Sequence, residues 1–312
     1  MLRRVKLAYE VYNFFRKKEL EHNIDLFRKY GVKKKYYSSI SSEDFKNIDQ
    51  EKALDTSGLK SVKDISFYQE QDAETQKSID SFEDEGFCII RNFLNAENVK
   101  SINDEIERLL DAKEIEFKYN SKLMFAIHKS KVIRDLCSNH KLDELLNTLI
   151  RGKAKLFQSI NFKSGSEQDT HSDSIHMTTF PLGGLLGVWI ALEDITLKNG
   201  PVHYYPRSHK LPYYMNRDYD NVGGKFLLGD KGYAAYEKMI DQKVEEQNIQ
   251  KIPFLAKAGD MFIWHANLLH GGEPHLDKSK TRKSMVLHYF DSNRICYHEI
   301  TQRPALIKNY SQ

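Results

Sequence analysis

The chain has 312 residues with 47 Lys and Arg against 44 Asp and Glu, a formal net charge of +3. That length suits one large domain or a domain with an extension, and the near-balance of charge gives no reason to expect a nucleic-acid partner. No apolar run approaches a membrane span and no charged-then-apolar signal segment opens the chain, so the expectation is a cytoplasmic protein without a transmembrane segment. Three scattered cysteines, Cys88, Cys137 and Cys296, have no metal-type spacing and read as reduced, buried thiols.

The first thirty-five residues carry an excess of Lys and Arg. Apolar residues at Val5, Tyr9, Tyr12 and Phe15, then Ile24, Leu26 and Phe27, suggest one or two short amphipathic helices. A helix packed on its own domain with a solvated basic face is the preferred reading, against a membrane-surface or partner-docking helix. Residues 36 to about 73 are polar and lack a firm period, as in a linker or irregular wrap. Residues 1–75 hold too few apolar side chains for a core of their own, so they are expected to form a helical cap on a main domain of residues 76–312.

Order resumes at Gln76. Ile79, Phe82 and Phe87–Ile90 predict a helix running through Gly86 into a short strand. Asn95 or Ala96 opens a helix with Val99, Ile102, Ile106, Leu109 and Leu110 on one face. Leu136, Leu142, Leu145, Leu146 and Leu149-Ile150 mark further helix. From Lys155 onward short strands take over, at Leu156–Phe162, Gly187–Leu192, Val202–Tyr205, Met261–Trp264 and Lys283–Phe290. Asn199-Gly200 is a tight-hairpin signal, and Pro206 limits its strand to an edge or an end. His203 and His209 read as structural. Helices followed by a run of short strands predict an α+β chain with a helix-flanked, all-β core.

The chemistry lies among these strands. Residues two apart in an extended segment share a face, so His171 and Asp173 can reach one metal ion. A third imidazole would complete a 2-His-1-carboxylate set, which suits Fe(II) and leaves positions open. His265, His270 and His275 all compete for that place. Arg282 shares a strand face with Ser284, Val286 and His288. A buried guanidinium needs an anionic partner, which a dicarboxylate co-substrate or an internal Asp or Glu could equally provide.

The order of motifs resembles the phytanoyl-CoA dioxygenase family of Fe(II)/2-oxoglutarate-dependent oxygenases. It runs through Phe82-Glu83-Asp84-Glu85-Gly86-Phe87-Cys88-Ile89-Ile90-Arg91-Asn92-Phe93-Leu94, His171-Ser172-Asp173 and Trp189, sixteen residues past the aspartate. Asn199-Gly200-Pro201, Pro206-Arg207-Ser208-His209-Lys210, Gly259-Asp260, His270-Gly271 and Arg282 follow.

The resemblance implies a double-stranded β-helix (jelly-roll or cupin-like) core with the iron at its mouth. It implies His171, Asp173 and His270 as iron ligands, with His270 preferred because the family's His-Gly pair fits the spacing to Arg282. Arg282 would bind the distal carboxylate of 2-oxoglutarate, Asn161 and Gln158 would contact the co-substrate, and Trp189 would line the pocket. Gly272 departs from the pattern, since relatives often have a serine there. The implied reaction uses O2 and 2-oxoglutarate to hydroxylate an unactivated C–H bond, releasing succinate and CO2. Asp173 favours hydroxylation over halogenation, because halogenating relatives replace this carboxylate with a small residue.

The substrate would be a small-molecule or carrier- or sugar-linked metabolite. His176 and Thr178, on an expected loop of residues 176–180, and Tyr204 are candidate contacts. Two alternatives remain at this stage. A zinc-dependent hydrolase could use the same ligands, without need of oxygen. A catalytically inactive binding barrel is the other, although such a binder has no use for all four of His171, Asp173, His270 and Arg282.

Overall fold

The computed structural model describes residues 4–50, 61–118, 121–137 and 139–308. Among the described residues thirteen strands form three sheets. The largest has the order β1-β9-β6-β11-β4-β3-β2, with β1 Phe87–Ile90, β2 Phe117–Lys118, β3 Lys122–Met124, β4 Ala154–Phe162, β6 Leu185–Ala191, β9 Met261–His265 and β11 Ser284–Asp291. A second is β10-β7-β8, with β7 Val202–Tyr204, β8 Ile252–Phe254 and β10 His270–Gly272. The third is β13-β12-β5, with β5 Thr178–Phe180, β12 Ile295–His298 and β13 Arg303–Pro304. The expected α+β class holds. Among the described residues the hydrogen-bonded strands do not close into a single barrel.

Period-two alternation divides the large sheet into two working faces. Leu186, Val188 and Ile190, Met261 and Ile263, and Met285, Leu287 and Tyr289 face outward into one apolar cluster. Helices Ala73–Asp80, Ala96–Asp111, Lys131–Cys137 and His140–Leu149 cover them with Ile79, Ile102, Ile133 and Leu145. The helix over 96–111 starts where the sequence places it, because Asn95 Oδ1 accepts from the Asn98 amide at 2.8 Å. The opposite face presents Trp189, Ala191, Phe262, Trp264 and Val286 to the interior.

Two local expectations are corrected. Asn199-Gly200 is no two-residue hairpin. It closes a 3-10 turn, Leu197–Asn199, in which Asn199 Oδ1 accepts from the Thr196 amide at 2.7 Å. Residues 176–180 are not a loop, since a short 3-10 turn, Asp173–Ile175, runs almost directly into β5.

The amino-terminal residues split in behaviour. Helix Asn23–Lys29 packs inward, and Leu26, Phe27 and Tyr30 join Ile40, Phe45, Phe180, Ile295 and Tyr297 in one buried cluster. Phe45 stacks on Phe180 with ring centroids 4.1 Å apart and planes 2° from parallel. Of the two readings for residues 36 to about 73, linker or irregular wrap, the described parts are a packed wrap, and residues 51–60 lie outside the described residues. Helix Lys6–Phe15 differs from the preferred reading, because the one residue it buries is polar, Asn13. A further helix, Tyr233–Gln247, was not expected from the sequence. Among the described residues no helix is long and apolar enough to cross a membrane.

Candidate active site

His171 and His270 are brought together by backbone. Each amide donates to the other's carbonyl at 2.9 Å, an antiparallel bridge that extends the β10-β7-β8 sheet by one segment. Asp173 follows at the start of the 3-10 turn. One donor atom from each of His171, Asp173 and His270 lies within 4.8 Å of the others.

Each histidine is oriented from behind. His171 Nδ1 donates to the Asp169 carbonyl at 2.8 Å, and His270 Nδ1 to the Leu268 carbonyl at 2.9 Å. A carbonyl only accepts, so both protons sit on Nδ1 and both Nε2 atoms carry lone pairs, that of His171 lying 3.2 Å from the Gln168 side-chain amide nitrogen. Burial, with His270 and His176 nearby, holds His171 well below the ordinary imidazole value and so neutral. Burial opposes ionisation of Asp173, but the surrounding His270, His288 and His171 outweigh it and keep the carboxyl below its usual range. Trp264 Nε1 donates to Asp173 Oδ2 at 2.7 Å, while Oδ1 turns toward His270 Nε2 at 3.7 Å. The indole thus anchors one oxygen and leaves the other for coordination.

The remaining candidates for third ligand are elsewhere. His265 Nδ1 accepts from the Asn267 amide at 3.1 Å beside His209. His275 Nδ1 donates to the Ser164 carbonyl at 3.3 Å.

Beside the triad is a cavity of about 330 Å³, lined among others by Gln158, His176, Arg282 and both tryptophans of the chain, Trp189 and Trp264. Arg282 is 2% exposed. Its guanidinium lies 5.6 Å from the Phe162 ring centroid, and Nη1 donates a long 3.4 Å bond to Ser284 Oγ. Its Nε has no partner, and among the described residues no carboxylate reaches ion-pair distance. Burial lowers this guanidinium to about 10, partly offset by the Glu193 carboxylate. Of the two partners left open by the sequence, the internal salt bridge is not made, and the cavity holds a buried cation awaiting an anion.

Three predicted contacts lie away from the cavity. Asn161 sits opposite Met285 on the outer face of β4, with both amide atoms buried and unpartnered, while Gln158 points inward. Thr178 pairs with Tyr297 inside the third sheet, and its neighbour Met177 lines the cavity instead. Tyr204 fills the interior against Phe87 and Phe262, at 4.6 and 5.0 Å. His176 is at the site, its Nε2 3.0 Å from the Tyr233 hydroxyl. At Gly272 a Cβ would be a tight fit, 3.1 Å from the Glu167 amide nitrogen and 3.2 Å from that of Gln168.

Sequence reasoning missed Lys122, Trp264, His298 and Arg303 as lining residues. The signal for Trp264 was present, because it shares a β9 face with Phe262. Lys122 sits on a three-residue strand too short to carry a period, and its Nζ donates to Gln168 Oε1 at 3.0 Å.

Two imidazoles oriented through Nδ1, one ionised carboxylate and an unpaired buried guanidinium across a shared cavity are the donor set of a mononuclear Fe(II)/2-oxoglutarate-dependent oxygenase. Residues 82–284 match the family model described as Phytanoyl-CoA dioxygenase (PhyH). Phytanoyl-CoA dioxygenase domain-containing protein 1 is 28% identical over 239 residues in Mus musculus, covering 73% of this chain and 74% of that one. The Bos taurus protein of that name is 25% identical over 177 residues, covering 55% and 57%. Among solved structures, the carbocyclase SnoK from nogalamycin biosynthesis aligns with a TM-score of 0.61 at 15% identity, covering 79% of this chain and 97% of that one. EctD from S. alaskensis with 2-oxoglutarate and 5-hydroxyectoine aligns at 0.55 and 18%, covering 76% and 81%. The chain belongs to the phytanoyl-CoA dioxygenase (PhyH) family and is an Fe(II)- and 2-oxoglutarate-dependent oxygenase.

Proposed function

We propose that this enzyme hydroxylates a C–H bond of a small-molecule or carrier- or sugar-linked metabolite, with His171, Asp173 and His270 holding the iron and Arg282 the distal carboxylate of 2-oxoglutarate. The observation that carries the assignment is Arg282, a buried cation with an unpartnered Nε on the wall of the triad's cavity. The chemistry that iron supplies when bound is activation of O2, coupled to decarboxylation of 2-oxoglutarate to succinate and CO2 and to hydroxylation of substrate.

The side chains around it bind, orient and exclude water. Leu268 and Asp169 carbonyls fix the imidazole tautomers, Trp264 fixes the carboxylate, and Trp189 and Val286 keep the inner wall apolar. Gln158 faces the cavity where it can contact the co-substrate, and His176 is the candidate substrate contact. The finer fold assignment is a double-stranded β-helix over residues 76–312, supported by the His171–His270 bridge that widens the second sheet opposite the large one. A reducing, cytoplasmic setting belongs to the same reading, supported by three buried free cysteines.

The substrate side is cationic. A second cavity of about 320 Å³ shares Gln158, Met177, His298 and Arg303 with the first. Arg303 rests on the Tyr9 ring at 4.9 Å and donates to Thr301 Oγ1 at 3.2 Å. This supports a substrate bearing an anionic group remote from the oxidised carbon.

The test is an anaerobic titration of metal-free protein with Fe(II), then 2-oxoglutarate, following the visible charge-transfer band of the chelate. The band is expected in the wild type and absent in Asp173→Ala. Arg282→Gln should still bind iron but need on the order of a hundredfold more 2-oxoglutarate. An unchanged requirement would remove Arg282 from the co-substrate site. Turnover without oxygen would move the chain to the zinc-hydrolase reading.

A further inference from the structure

Helix Lys6–Phe15 faces the wrong way for a packing helix. Its polar edge meets the protein: Asn13 Nδ2 donates to the Tyr37 carbonyl at 3.0 Å, and Tyr9 lies under the Arg303 guanidinium. Its apolar edge meets water. Leu7, Val11, Phe14 and Phe15, at i, i+4, i+7 and i+8, share one helical stripe and are 63%, 49%, 46% and 80% exposed.

A neighbouring loop adds to the same patch. The Lys6 amide donates to the Phe226 carbonyl at 2.9 Å and Val5 bridges to Leu227. This sets Phe226 and Leu227, 71% and 47% exposed, beside the helix. Exposed apolar side chains gathered in one region call for a cover.

The charge around it says what kind. Lys17 Nζ lies 5.3 Å from the Phe14 ring and Lys225 Nζ 5.5 Å from the Phe226 ring. Residues 1–35 carry eleven Lys and Arg against four Asp and Glu, in a chain whose total is +3. Aromatic and aliphatic side chains interleaved with lysines that reach outward are the composition of a helix lying in an anionic lipid interface. The helix's protein-facing edge also borders a cavity, because Tyr12 and Asn13, with Arg16 just past its end, form part of the second cavity, which shares four residues with the triad's own.

We propose that this face seats on an anionic bilayer surface, with the apolar stripe at the headgroup boundary and the second cavity behind the helix. The proposal is independent of the iron chemistry.

Sedimentation of the full chain with vesicles tests it, using phosphatidylcholine alone and phosphatidylcholine with phosphatidylglycerol. Association is expected with the anionic vesicles, weaker with the neutral ones, and reduced by added salt. The double variant Phe14→Ser/Phe15→Ser should lose roughly a hundredfold in vesicle affinity while binding iron and 2-oxoglutarate as the wild type does. No association with anionic vesicles, or equal association with both kinds, overturns the proposal. Self-association that the double variant abolishes, without vesicle binding, would instead make a second copy of this chain the cover.

Discussion

At the level of single residues, the site depends on groups that never touch the metal. Trp264 holds Asp173 Oδ2 at 2.7 Å, which keeps the carboxylate turned so that Oδ1 is free. Trp264→Phe retains the packing and removes the donor, so iron affinity should fall about 10–100-fold with the fold intact. A titration giving wild-type affinity would show that Asp173 needs no such anchor. His171, Asp173 and Arg282 were legible because the family resemblance marks a His-x-Asp pair and a His-Gly pair spaced to an arginine, not because of a strand period, since Asp173 opens a 3-10 turn. Asn161, Thr178 and Tyr204 were not, for reasons of phase and depth. A strand's alternation is visible in sequence, but which face meets the cavity is set by neighbours far along the chain, such as Met285 opposite Asn161.

Among elements, legibility followed apolar content. The five longer strands of the large sheet are apolar runs and were placed within a residue or two, whereas the short strands Phe117–Lys118 and Lys122–Met124 were not foreseen. Helix Tyr233–Gln247 was invisible because it buries only Tyr236 and Ile240, leaving no stripe to read. It nonetheless bears on the site, since the Tyr236 hydroxyl accepts from the Ser172 amide at 3.2 Å, between two ligands. For residues 36–50 the sequence left linker and irregular wrap open, because their few apolar residues have no period and are buried by the third sheet rather than by each other. Phe45 is 4% exposed and stacked on Phe180. Phe45→Ala should therefore destabilise the protein by about 3–5 kcal/mol, measurable as a lowered denaturation midpoint. A change within error would mean that the wrap is not held by this stack.

For the molecule as a whole, burial of histidine sets a pH limit. Burial is the leading cause in each case, and it lowers His22, His176 and His203 to about 4 and His265 and His298 to about 3. An unfolded chain would bind protons at these positions from about pH 6.5 downward, where the folded chain does not. Their neutral forms therefore contribute stability above about pH 6.5 that is lost as the pH falls toward 4. Melting temperature, measured on metal-free protein, should drop between pH 7.5 and pH 5. A flat or rising profile would mean that other groups dominate the titration.

The placement of the chain's only two tryptophans on the wall of the same cavity has a practical consequence. All of the indole emission of this protein originates beside the metal-binding triad, and Trp264 is hydrogen-bonded to one of its members. Intrinsic fluorescence is thus a label already installed at the site, and quenching on addition of a metal, keto acid or candidate compound would report occupancy without any turnover.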